Sequence, residues 1–196
     1  MGVTLIGDAH GKYDRYVKMA RKRDFTIQLG DLGFKYGCLE NLDPGRHKVL
    51  GGNHDNYSII NEYPHYLGDY GMSSLGGVEF FFYRGAYSID RHYRTIGIDW
   101  WQEEQLGIED FMKAREIYRY AKPDVVLTHD CPESIAPLLL PPGSHIYQNT
   151  TGWALQELLN IHRPKLWVHG HYHVSKSTDF DGTRFICLDE LEPLDI

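Results

Sequence analysis

The chain has 196 residues, of which 42% are hydrophobic, 13% aromatic and 24% charged, with a formal charge of -7. That length suits a single domain with at most a small insertion, and the apolar share excludes a chain that is disordered throughout. The longest apolar runs, at residues 3–6 and 137–142, fall far short of the ~18 residues of a membrane-spanning helix. The acidic balance argues against a stable complex with long nucleic acid.

Residues 1–4 lack the basic start and apolar core of a signal peptide, so a cytoplasmic location is expected. Val3–Ile6 is a β-branched apolar run that stops at Gly7-Asp8, as a buried strand does at its C-terminal end. Residues 13–23 read as a helix. Apolar Tyr13, Tyr16, Val17 and Ala20 recur at spacings of 3 and 4, and Lys12, Arg15, Lys18, Arg21 and Lys22 form the solvated face. A second strand over 25–29 ends at Gly30-Asp31, and a third over 48–50 ends at Gly51-Gly52-Asn53. Strand, helix, strand spacing predicts right-handed parallel crossovers.

Residues 56–100 are rich in Gly, Tyr and Ser and hold one clear strand at 79–83, which reads as a loop-rich insertion. Residues 103–120 begin acidic, end basic and precede Pro123, the signals of a helix, with Gly107 as a break point. A strand over 124–128 ends at His129-Asp130. A helix over 151–162 stops before Pro164, and a strand over 166–168 ends in His169-Gly170-His171-Tyr172-His173. Residues 180–184, Phe-Asp-Gly-Thr-Arg, read as a hairpin turn feeding the last strand, 185–188.

Three cysteines, Cys38, Cys131 and Cys187, are far apart and never in C-x-x-C spacing, which argues against disulfides or a thiolate zinc site. Eleven histidines direct attention to metal ligation. Five strands end in Gly with Asp, Asn or His: Gly7-Asp8-Ala9-His10, Gly30-Asp31, Gly52-Asn53-His54-Asp55, His129-Asp130 and Gly170-His171-Tyr172-His173. Ligand crevices of open α/β sheets lie beyond the C-terminal strand ends, so the five clusters should converge. Asp8 and His10 point the same way after a strand, as do His171 and His173. The carboxylate, amide and imidazole donors suit manganese, iron or zinc rather than calcium.

These blocks, G-D-x-H-G, G-D, G-N-H-D, a lone His after a strand and G-H-x-H, make the chain similar to the calcineurin-like metallophosphoesterases from Gly7 to His173. Ile98-Asp99-Trp100-Trp101 and the run from Ala86 to Arg91 resemble small phage and bacterial members, which would place a phage-encoded chain in the host cytoplasm. The resemblance implies a single domain over 1–196, folded as a four-layer α/β/β/α sandwich with two central mixed sheets, in which residues 56–100 form part of the substrate site. It implies two divalent ions, manganese foremost, with iron, zinc or nickel as alternatives. Asp8, His10, Asp31 and His173 would hold one, and Asp31, Asn53, His129 and His171 the other, with Asp31 bridging. A hydroxide between the ions would attack phosphorus, and His54 would protonate the leaving oxygen or clamp the phosphoryl group.

The expected substrate is a small or nucleotide-type phosphoester, monoester or diester, with Lys35, Arg91 and Arg94 as candidate contacts. Protein phosphatases of the family extend the second block to G-D-x-x-D-R-G, whereas this chain has Phe34 and Lys35 there. A Ser/Thr protein phosphatase is therefore the alternative reading, and Asp55 or another acid could hold His54, the sequence leaving open which. A non-catalytic scaffold with a vestigial site is a second alternative, opposed by the presence of all eight site residues. His47, His65, His92, His145, His162, His169 and Cys131 are expected to be structural. Arg84, Tyr87, Trp100 and Trp101 belong to the insertion, and the tryptophans read as anchors ahead of nucleobase stacking. Asn56 and Asn149 match glycosylation acceptors but carry no weight without a secretory signal.

Overall fold

The computed structural model describes residues 2–142, 144 and 147–196, so Met1 and His145 lie outside the described residues. Strands β1 (Val3–Ile6), β2 (Phe25–Gln28) and β3 (His47–Val49) run parallel, joined first by helix α1 (Tyr13–Ala20). A second sheet holds β4 (Tyr70–Leu75), β5 (Val78–Tyr83), β6 (Val125–Thr128), β7 (Leu166–His169), β8 (Lys176–Phe180) and β9 (Thr183–Cys187) in the order β4-β5-β6-β7-β9-β8. Helices α2 (Ile108–Ala121), α3 (Ala136–Leu139) and α4 (Thr150–Ile161) belong to that half. The final strand, β10 (Pro193–Asp195), returns to pair antiparallel with β1. Both sheets are mixed: β10 is antiparallel in the first, and β4 and β8 in the second.

The alternation of side chains along each strand builds the layers. Val3 and Leu5 of β1, Ile27 of β2, Phe80 and Phe82 of β5, Leu127 of β6 and Val168 of β7 form one buried cluster between the sheets. Their neighbours face outward to the helices. Phe81, Tyr83, Val126, Trp167, Phe185 and Cys187 pack against α2 and α4 through Phe111, Tyr118, Leu155 and Leu158. Ile6 and Val49 pack against Tyr16 and Ala20 of α1. Three apolar interfaces therefore separate four layers, the predicted α/β/β/α order. Each large side chain so buried contributes about 1.5–3 kcal/mol.

Three elements differ from expectation. Residues 70–83, in the middle of the presumed insertion, form a hairpin of the second sheet, because Gly76-Gly77 supplies two positive φ values, 58° and 86°, for a two-residue turn joining β4 to β5. The strand over 185–188 is not the last, since β10 follows it with Pro193 at the sheet edge, where a missing N–H is tolerated. Residues 136–139 form the short α3. Elsewhere the agreement is close: Gly107 stands at the N-cap of α2, and Asp181-Gly182, both at positive φ, form the β8–β9 turn. Among the described residues no helix is long and apolar enough to cross a membrane.

Candidate metal centre

All five clusters meet beyond the C-terminal ends of β1, β2, β3, β6 and β7. Asp8 Oδ2 lies 3.1 Å from His173 Nε2 and 3.6 Å from His10 Nε2, and the two histidine nitrogens stand 2.7 Å apart. Asp31 divides its oxygens: Oδ2 is 3.6 Å from His10 Nε2 and Oδ1 is 3.3 Å from His129 Nε2. Asn53 Oδ1 is 3.1 Å from the same His129 nitrogen. Two donor groups result, Asp8–His10–His173 and Asp8–Asp31–His129. Asp8 thus reaches both. His171 donates its backbone N–H to both Asp8 oxygens, at 3.2 and 3.1 Å, and sets its ring 5.1 Å from that of His129, outside either three-residue group.

Local backbone explains the crowding. His10, Asp31, His171 and His173 all have positive φ, at 44°, 57°, 69° and 50°, a conformation that costs side-chain-bearing residues about 1–3 kcal/mol each and persists where the surroundings enforce it. Glycines make room beside them. A Cβ on Gly52 would sit 2.2 Å from Asp31 Oδ1, and one on Gly170 would sit 2.1 Å from Asp8 Oδ1.

The next ring of contacts aims the donors. His129 Nδ1 lies 2.8 Å from Leu29 O, which leaves Nε2 for the centre. Asn53 Nδ2 donates to Ser88 Oγ at 3.0 Å, turning Oδ1 inward, and the Ser88 N–H is in turn held by the buried Glu104 carboxylate at 3.1 Å. Asp55 accepts the N–H groups of Asp31, Gly33 and Gly52 and the hydroxyl of Tyr36. It therefore fixes the loops after β2 and β3 and is not, of the acids left open by the sequence, the one that holds His54.

Burial would raise the Asp8 carboxyl, but the charge of His129 and the hydrogen bonds of His10 and His173 keep it well below the usual carboxylate range. Asp31 is likewise brought to about 2, burial being outweighed by His129. Burial would lower His129, yet Asp31 and Asp8 push it up to about 10. Two ionised carboxylates in a dry site demand positive charge, which a proton on His129 or a divalent cation supplies. The oxygen and imidazole donor set fits divalent transition metals.

A cleft of about 500 Å³ opens onto this cluster, lined by His10, Asp31, Asn53, His54, His171 and His173 on one side. His54 donates its backbone N–H to Asp31 Oδ1 at 2.7 Å, and Arg94 faces its ring, with Nη1 2.9 Å from Nδ1 and Nη2 3.1 Å from Nε2. Asp90 grips Arg94 twice, at 2.8 and 2.7 Å, and Asp99 O accepts a third bond at 3.0 Å. Burial lowers His54, and Arg94 adds to it, bringing the imidazole to about 4. Of the three predicted substrate contacts, only Arg94 lines the cleft. Arg91 instead covers the Tyr87 ring at 4.8 Å, and Lys35 is exposed outside, its N–H bonded to the Tyr13 hydroxyl.

Trp101 is an anchor, bonded to Ser58 Oγ at 2.9 Å and packed on Phe34 at 5.3 Å. His47, His65, His162 and His169 bond Thr26 or backbone carbonyls, and His92 is exposed. Cys131 is buried, its thiol pushed well up by that burial. Asn149 caps α4 by accepting the Gly152 N–H. The sequence reading missed Asp90, Tyr147, Asn149, Tyr172 and Glu190 as cleft residues. Only the Asp90–Arg94 spacing of four offered a signal.

A search of curated protein sequences returned no match. Among solved structures, TT1561 of Thermus thermophilus superposes with a TM-score of 0.55 at 12% identity, over 97% of this chain and 91% of that one. The phosphopantetheinyl hydrolase of Mycobacterium tuberculosis gives 0.54 at 15% identity, over 96% and 90%. GAP50, described as the anchor in the inner membrane complex of Plasmodium, gives 0.52 at 11% identity, over 96% and 71%. At such identities these are likenesses of fold. The family model for calcineurin-like phosphoesterases matches residues 1–175, a stretch that contains every strand-end cluster, and the chain therefore belongs to that family.

Proposed function

We propose that this protein is a metal-dependent hydrolase of small or nucleotide-type phosphoesters that works with two divalent cations. The observation that carries this reading is Asp31, whose two oxygens face different histidines, His10 and His129, on the floor of the cleft that opens onto the cluster. Asp8, His10, Asp31 and His173 would hold one ion, and Asp31, Asn53, His129 and His171 the other, with Asp8 close enough to support both. When bound, such a pair supplies Lewis-acid activation of the phosphoryl group and of water, with manganese, iron, zinc and nickel all compatible with the donors.

The chain's own residues do the rest. Asp55 and Ser88 hold the loops so that Asp31 and Asn53 need no rearrangement. The Arg94 guanidinium, fixed by Asp90 and Asp99, places a permanent positive charge against His54 at the cleft floor. His54, whose two ring nitrogens face that cation, would contact the phosphoryl or leaving oxygen by turning its ring from Arg94, the clamp role. A Ser/Thr protein phosphatase reading lacks support from Phe34, which packs on Trp101, and from Lys35, which is outside the cleft.

The test is elemental analysis combined with an ester panel of mono- and diesters, nucleotides and a phosphopeptide, with manganese added. Chelation should abolish hydrolysis and manganese restore it, and Asp31→Asn should weaken both ions together. Two ions per chain retained in Asp31→Asn would refute the shared carboxylate. No turnover of any ester would refute the hydrolase, and turnover of the phosphopeptide alone would install the protein phosphatase.

A further inference from the structure

We infer that the half of the cleft away from the strand ends is a stacking subsite for a planar aromatic group, so that the ester cleaved carries a nucleobase-like ring. This deepens the phosphoesterase reading above and rests on it.

The cleft of about 500 Å³ is far larger than a phosphoryl group requires, and its outer wall is made by Tyr87, Ile89, Leu140 and Tyr147. The rings of Tyr87 and Tyr147 lie 6.2 Å apart with planes only 30° from parallel. Arg91 stands 4.8 Å from the Tyr87 centroid, a cation–π contact that holds this ring in place. Rigid, flat and partly apolar surfaces beside a reacting centre are what an aromatic leaving arm stacks on.

Two polar side chains of the same cleft, Tyr172 and Asn149, are engaged elsewhere. The Tyr172 hydroxyl donates to Asp130 Oδ1 at 2.8 Å. Asn149 accepts the Gly152 N–H and directs its amide hydrogens to Tyr147 O and Asp130 Oδ2. Tyr172 and Asn149 therefore offer carbon faces rather than donors and acceptors, so the subsite recognises a flat ring without reading its edge. Charge narrows the class further. Among the described residues Arg94 is the one Lys or Arg lining the cleft, and Asp90 already offsets it. Beyond the proposed metal positions the cleft therefore supplies no unpaired cationic side chain to grip a di- or triphosphate chain. The tryptophans do not compete for the ring, because Trp101 is buried under its Ser58 bond and neither lines the cleft.

The experiment compares thymidine 5′-phosphate with 2-deoxyribose 5-phosphate on the manganese-loaded enzyme, each as the monoester and as its methyl diester. The paired esters share a primary leaving alcohol and differ in the base. Stacking of one base predicts a KM about 10- to 100-fold lower for the thymidine compounds, and adenosine, guanosine and cytidine 5′-phosphates should fall within about tenfold of thymidine. In Tyr147→Leu and Tyr87→Leu the ratio of the two KM values should fall toward one. Equal KM values in the wild-type enzyme overturn the subsite, whatever the variants do. If manganese supports hydrolysis of none of these esters or of the wider panel, the phosphoesterase reading is the one that fails. Calorimetric binding of thymidine against 2-deoxyribose to the loaded protein then decides the subsite alone, with equal or absent binding overturning it.

Discussion

Gly170→Ala isolates the support of Asp8 in one methyl group. The backbone at Gly170 does not need glycine, since its φ is not in the left-handed range, so any effect comes from contact. The added Cβ would lie 2.1 Å from Asp8 Oδ1, and to reach even 3.0 Å the carboxylate must retreat by 0.9 Å. It has little space for this. Asp8 is fully buried and is held by the His171 N–H on one side and by His10 and His173 on the other. Overpacking of this kind costs about 1–3 kcal/mol, and misaiming a ligand weakens metal affinity about 10- to 100-fold. Manganese affinity is read by calorimetric titration or chelator competition, and stability by thermal unfolding. Gly37→Ala is the control, because its Cβ would meet nothing within 4 Å. Undiminished manganese affinity in Gly170→Ala would refute the claim that Asp8, in the position described, is a ligand.

Other substitutions separate chemistry from scaffolding. His54→Ala should leave metal content unchanged while slowing turnover by about 10²–10³-fold, the loss of one donor to the developing charge; loss of metal would show that His54 is a ligand after all. Arg94→Ala removes the fixed charge beside His54 and should lower kcat/KM by about 10- to 100-fold, with Arg94→Lys recovering only part of it because the two-pronged grip of Asp90 is lost; steady-state kinetics on metal-matched samples decides. Trp101→Ala should destabilise by about 3–5 kcal/mol, roughly 6–20 °C in Tm, without a selective rise in KM, as calorimetry and kinetics on the surviving fold would show.

The architecture was legible where strands are buried on both faces. Val3–Ile6 and Val125–Thr128 are short β-branched runs that stop at Gly-Asp and His-Asp, and no helix periodicity competes with them. The edge strands were not. Tyr-Gly-Met-Ser-Ser-Leu of β4 has weak strand character and exists because β5 offers it a ladder. Its Gly76-Gly77 turn was nonetheless a readable hairpin signal. Similarly, β10 is three residues led by proline, made a strand by the open edge of β1. In the site, the Gly, Asp and His clusters were readable because each marks a strand end. The partner of His54 was not, because Arg94 stands 40 positions away in a loop whose path no periodicity dictates.

Four of the proposed ligand positions, His10, Asp31, His171 and His173, adopt backbone angles in which glycine would be more comfortable. An engineer seeking a hardier protein by relieving torsional discomfort would replace them first, and the resulting molecule should tolerate heat better while having no centre left. The fold tolerates this tension because the surrounding sandwich is firm enough to bear it. Thermal resilience in this chain is better sought in the outer helices than at the mouths of its strands.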